Sequence, residues 1–180
     1  MTTLTPSPLL APPSADEHLP YFSRYVALVP AGDVLATLER QLEETVALVS
    51  SFGEQRAGHR YAPGKWSVRQ VVGHVVDAER VFTFRAIAAA RSDVNALPGF
   101  DENAYVENAD FDTRSVNSLL GELTAVRRAT ISFFRNVSDE AALRRVIANG
   151  APITVRALAW IIAGHERHHV AILRERYGGA

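Results

Sequence analysis

The sequence predicts an all-α fold, a four-helix bundle with long crossover connections. Three observations carry that prediction. Four segments place apolar residues three and four apart, the spacing that keeps one helix face on a core. No run of convincing strand length alternates apolar and polar residues, and no internal repeat is present. The connections after the second and third segments are long, so consecutive helices need not be antiparallel hairpin neighbours.

The opening MTTLTPSPLLAPPSADEH lacks a basic start and a long apolar core. It reads as a disordered Pro/Ser/Thr-rich tail over 1–18, not a signal peptide, and leaves 19–180 as the bundle domain. Tyr21–Pro30 is a mixed apolar stretch, expected as a short helix or a docked arm. The first long helix spans Asp33–Phe52: Asp33 is its cap, and Leu35, Leu38, Leu42, Val46 and Val49 form its stripe. Gly53–Gly64 is a loop.

Ser67 and Gln70 form a Ser-x-x-Gln capping box that opens the second helix, which runs to about Arg91. Its seam reads Val71, His74, Ala78, Val81. Ser92–Arg114 shows no helical periodicity, and a loop that long can cross the length of a bundle and leave the next helix parallel to the last. The third helix, Ser115–Val137, carries Val116, Leu119, Leu120, Leu123, Val126, Thr130, Phe133 and Phe134. Ser138–Pro152 is a connection with an Asn149-Gly150 turn signal. The last helix, Thr154–Tyr177, is capped by Thr154 and stopped by Gly178.

Its seam is Val155, Leu158, Ile162, His165, His169, Ile172, stepping 3, 4, 3, 4, 3. Two imidazoles stacked one turn apart on a buried seam need a shared partner, because a buried ring nitrogen without one costs free energy. His74 sits on the facing seam of the second helix. Three neutral imidazoles with positions left open match a catalytic-type divalent metal site on His74, His165 and His169. Zinc and nickel lead the candidate ions, and iron, manganese and cobalt fit the same donors. The competing reading is three core histidines satisfied by carbonyls or carboxylates. His168 points about 100° away and belongs at a rim. His18 and His59 read as solvated.

His165-Glu166-Arg167-His168-His169 also satisfies His-Glu-x-x-His, the zinc-protease helix. Ile172 and Glu175 stand where a metzincin needs Gly and His, and too few residues follow His169 to supply a distant third ligand. Glu166 then reads as a helix-surface residue or a support behind the ligands. Asp77 could orient an imidazole. Asp101 and Tyr105 could cover the site, Trp66 and Trp160 read as core, and Arg69, Arg80 and Arg85 could meet a substrate carboxylate.

Composition narrows the function further. A formal net charge of −1, with no basic run, gives no case for nucleic acid or an anionic membrane. The longest apolar run, Ala157–Ala163, is far too short to span a bilayer. With no cysteine there is no disulfide, thiolate ligand or thiol nucleophile, which suits a cytoplasmic location.

Lys65–Glu79, KWSVRQVVGHVVDAE, resembles the second-helix signature of the DinB/YfiT superfamily. Leu97–Tyr105, LPGFDENAY, is similar to that family's long loop, and Gly164–His169, GHERHH, resembles its His-x-x-x-His helix. The resemblance implies an up-down-down-up bundle, often a homodimer, with a divalent metal on the three histidines. It also implies a link to low-molecular-weight thiols, since relatives include bacillithiol S-transferases and a mycothiol-dependent maleylpyruvate isomerase. The expected activity is therefore a thiol S-transferase that joins a small-molecule thiol to an electrophilic substrate. The alternatives are a hydrolase that uses metal-activated water and a non-catalytic metal-binding stress protein.

Overall fold

The structure is a computed structural model that describes residues 7–178. A short helix, α1 (Ser23–Val26), precedes the first long one, α2 (Val34–Ala57). Asp33 caps α2, its Oδ1 accepting from the N–H groups of Leu35 and Ala36. Gly53 at φ +65° breaks α2 where the apolar stripe ends. α3 (Val68–Ala90) begins at the expected capping box, with both Ser67 and Gln70 engaged. α5 (Val116–Arg135) is capped by Ser115, and α7 (Val155–Ile172) by Thr154 before it widens into a π turn over Leu173–Tyr177. Between them lie α4 (Glu102–Asn108) and α6 (Asp139–Ala142).

Contacts between the long helices fix their directions. Glu54 of α2 accepts from the Val116 N–H at the start of α5, while Glu39 pairs with Arg135 at its end, so α2 and α5 are antiparallel. Glu79 and Thr83 of α3 meet Arg127 and Thr130 of α5 in the same order, so that pair is parallel. Gln41 and Thr45 of α2 meet Ala163 and Glu166 of α7, again in parallel. His74 of α3 meets His165 of α7, and Trp66 just before α3 meets Tyr177 at the far end, an antiparallel pair. The result is an up-down-down-up four-helix bundle in which α2 and α3 face each other across the diagonal.

Three expectations need correction. The connection after α6 contains an antiparallel hairpin, β1 (Arg145–Ala148) with β2 (Ala151–Thr154). Asn149 (φ +52°) and Gly150 (φ +77°) supply its turn, both left-handed as a two-residue hairpin turn requires. Strands of four residues are too short to display an alternating pattern. The crossover after α3 is also not structureless: Asp101 caps α4, a helix that buries only Val106 and so leaves no periodic trace. Leu97 then pairs with the hairpin, donating to the Ile147 carbonyl and accepting from the Asn149 N–H.

The third correction is the N-terminal segment. The first six residues lie outside those described, but Ser7–His18 pack against the bundle. Leu9, Glu17 and His18 are buried. Glu17 accepts from the Thr154 hydroxyl at 2.8 Å and pairs with Arg156, tying the segment to the start of α7. His18 is thus not solvated; its Nδ1 lies 2.9 Å from the Leu19 carbonyl.

The interior comprises two apolar clusters. One gathers Leu38, Phe82, Phe134, Leu158 and Ile162, the other Val49, Val72, Val75, Leu123 and Leu173. Along each long helix a polar residue stands where membership changes from one cluster to the other: Gln41, Glu79, Arg127 and Glu166, all buried. A polar layer therefore divides the core at mid-height, and it is where the histidines are found.

Candidate metal centre

His74, His165 and His169 converge as the seam spacing predicts. The Nε2 of His165 lies 3.0 Å from that of His74 and 3.1 Å from that of His169. All three candidate ligand nitrogens fall within 4.8 Å of one another. Imidazole nitrogens sharing one ion at about 2.1 Å stand roughly 3.0–3.4 Å apart, so the spacing fits a common metal.

The rings are also in the ligating protonation state. Burial pushes His74 down to about 4, with a smaller contribution from the charge of His168. Burial, reinforced by the neighbouring imidazoles, holds His165 and His169 well below the ordinary histidine value. Neutral rings with converging lone pairs suit a cation, because no proton has to be displaced near neutral pH. Several π contacts set the ring planes: Trp66 lies 4.8 Å from His74, and Tyr25 and Phe82 lie 5.3 and 5.8 Å from His165.

The polar layer lies directly behind these rings. Arg127, fully buried, donates Nε and Nη2 to Glu79 at 2.9 and 2.7 Å and Nη1 to the Leu38 carbonyl at 3.0 Å. Nη1 also stands 2.9 Å from Glu166, which accepts from Thr45 at 2.7 Å and Gln41 at 3.0 Å. Burial raises the Glu166 carboxyl even against the attraction of Arg127. Glu166 is therefore neither a surface residue nor a protease-type base. It anchors α7 one residue from His165, on a face about 100° round the helix.

A cavity of about 570 Å³ adjoins the three imidazoles, walled by Phe22, Tyr25, Trp66, Phe82, Arg85 and Phe100, among others. A second cleft of about 260 Å³, lined by Tyr61, Lys65, Asn103 and Tyr177, also reaches His169. Trp66 and His169 border both.

Other expected site residues fall differently. His168 stays at the rim, as expected, against the Tyr25 ring at 5.5 Å. Asp77 faces α5, where its partner Arg80 also pairs with Glu122, so it orients no imidazole. Phe100 and Glu102, not Asp101 and Tyr105, border the large cavity, because Asp101 is used as the α4 cap. Trp160 is core, but Trp66 is a wall between clefts. His59 is exposed. Tyr25 and Phe22 enter the site from the short arm that ends in α1. The stretch was expected as a short helix or docked arm, but its place beside the histidines had no signal in the sequence, because an arm's docking is fixed by contacts far from it along the chain. Gly164 admits the arm: a Cβ there would stand 2.0 Å from the Tyr25 carbonyl oxygen.

The chain belongs to the DinB superfamily, whose model matches residues 37–173. It is 24% identical over 144 residues to YfiT of Bacillus subtilis, a protein named as a candidate metal-dependent hydrolase, covering 79% of each chain. A protein of the same description from Oceanobacillus iheyensis is 24% identical over 142 residues, 78% of this chain and 79% of that one. The solved structure of B. subtilis YfiT, described as an unusual four-helix bundle, superimposes with a TM-score of 0.70 at 21% identity, covering 96% of this chain and 99% of that one. A DinB-like protein of B. subtilis, YjoA, gives a TM-score of 0.55 at 18% identity over 78% of this chain and 85% of that one.

Proposed function

We propose that this member of the DinB superfamily is a metal-dependent transferase. On this reading a small-molecule thiol gives up its proton and its sulfur bonds an electrophilic carbon, whose leaving group departs with the electron pair, beside a divalent ion, zinc or nickel, that His74, His165 and His169 would hold. The observation that carries the transfer reading is the pair of clefts meeting at His169 and Trp66. A hydrolase needs room for one organic substrate and water, whereas a transferase must seat two organic molecules side by side.

A divalent ion on three neutral ligands keeps its full charge and would lower the pKa of a thiol or water brought to its open positions. The chain's own residues do the rest. Trp66 separates the two molecules until their reacting atoms meet at His169. Phe22, Phe82 and Phe100 exclude water from the larger cleft, which favours a thiolate over competing hydroxide. The Arg127–Glu79–Glu166 layer holds α3 and α7 in register so that the three ring nitrogens stay converged.

Hydrolysis is the second reading, favoured by the names of the relatives. Turnover of a model electrophile, with and without reduced thiol, separates the two. The transferase reading expects product only when thiol is supplied, and equal rates without it would overturn that reading. Elemental analysis of untagged protein, expected to find about one divalent ion per chain, checks the metal independently.

A further inference from the structure

We infer that the larger cleft receives a substrate bearing a single carboxylate, which binds Arg85 at the end of the cleft remote from His74. The inference rests on reading that cleft as the substrate site, and it adds the chemical class of its occupant.

Two arginines are buried among the described residues, Arg127 and Arg85. Arg127 has two carboxylates against it. Arg85, 5% exposed, has no carboxylate within ion-pairing distance among the described residues; its partner there is the Pro98 carbonyl, which accepts from Nη2 at 2.8 Å. A guanidinium has five N–H donors, so most of this one's capacity is left for the cleft it lines. Burial lowers the Arg85 pKa with no acidic neighbour to offset it. A cation taken out of water without a counter-charge is costly unless a ligand supplies one.

Its placement describes the rest of the ligand. Arg85 lies eleven residues after His74, which puts it about 16 Å further along α3 and within about 20° of the same face. The long side chain leans back toward the helix N-terminus and shortens that gap. Ala78 lies between them and leaves room, while Phe82 and Phe100 supply apolar walls. The Arg85 guanidinium stands 5.8 Å from the Phe100 ring centroid. The complement is an apolar body with a carboxylate at one end and its reactive carbon at the other. One guanidinium matches one carboxylate, and Glu102, which also lines the cleft, disfavours a second negative charge. Arg24, also on the cleft, is the poorer candidate because it is already bonded to the hydroxyls of Tyr21 and Tyr25.

The test is a fluorescence titration of the full chain with 4-phenylbutyrate and, separately, its uncharged amide. Trp66 on the cleft wall reports binding, while Trp160 is buried in the core. The carboxylate is expected to bind about tenfold to a hundredfold more tightly than the amide, the range of a charge-assisted pair in a sheltered site. Arg85→Gln should bring the ratio to about one, Arg85→Lys should keep a several-fold preference, and the exposed control Arg80→Gln should leave it unchanged. Equal affinities for the two probes would overturn the proposal, as would a preference that survives Arg85→Gln or vanishes in Arg24→Gln. If thermal melts show that Arg85→Gln does not fold, Arg85→Lys decides: a folded Lys variant without preference overturns it. Repeating the titration after chelator dialysis distinguishes the two proposals. A preference that persists supports Arg85; one that disappears places the carboxylate on the metal, overturning this inference and leaving the metal centre standing.

Discussion

Single residues carry the site, and the seam rule that located His74, His165 and His169 was more general than its use on histidines. Leu120, Leu123, Arg127, Thr130 and Phe134 step 3, 4, 3, 4 along α5, and Val75, Glu79, Phe82 and Ala86 step 4, 3, 4 along α3. A charged residue on an apolar seam signals a buried pair as surely as a histidine there signals a ligand. The Arg127 layer was therefore legible, and so was an arm over Tyr21–Pro30, whereas its docking of Tyr25 onto His165 was not. His169→Ala should abolish tight binding of the ion and His59→Ala should not, measured by competition with a chromophoric chelator. Arg127→Met leaves two buried carboxylates facing one another without their cation, and chemical denaturation should show a loss of about 3–5 kcal/mol. Gly164→Ala sets two effects against each other. Alanine gains about 0.5–1 kcal/mol of helix propensity, but overpacking onto the Tyr25 backbone costs about 1–3 kcal/mol or more, and a carbonyl cannot swing aside as a side-chain tip can. The variant should melt lower, and the Tyr25–His165 contact should loosen, seen as increased hydrogen exchange in residues 22–27.

Among whole elements, the four long helices and their caps followed from periodicity and side-chain chemistry: Asp33, Ser67, Ser115 and Thr154 all cap as read. The hairpin, α4 and the docked N-terminal segment leave no periodic pattern in the sequence, beyond the Asn149-Gly150 turn signal, because each is short and held by distant partners. The N-terminal segment has a pH signature of its own. Burial raises the Glu17 carboxyl, but hydrogen bonds from Arg156, the Ser14 N–H and Thr154 outweigh it, and the net shift is downward. A carboxyl lowered in the folded state stabilises the protein above its unfolded value, near 4.5, and that stability is lost as pH falls through the lowered value. Glu17→Gln should therefore melt below wild type at pH 7, with the difference shrinking below about pH 4.5. A difference that stays constant across that range would show that the carboxylate charge is not what holds the segment.

At the scale of the molecule, the imidazoles join α3 to α7, so an ion bound there stabilises the whole bundle. Mass action gives about 2.7 kcal/mol at a free metal concentration one hundred times Kd. The melting temperature should therefore climb with added zinc or nickel and fall on chelation, and His169→Ala should be insensitive to both. The bridge also has a temporal consequence. His74 and His165 are separated by 91 positions, and two of the three donors reside on the last long helix. A nascent chain emerging from the ribosome offers one of the three imidazoles until α7 is made and seated. An ion held by all three would then be acquired only after α7 is made and seated, and a product truncated before α7 would be unable to sequester it.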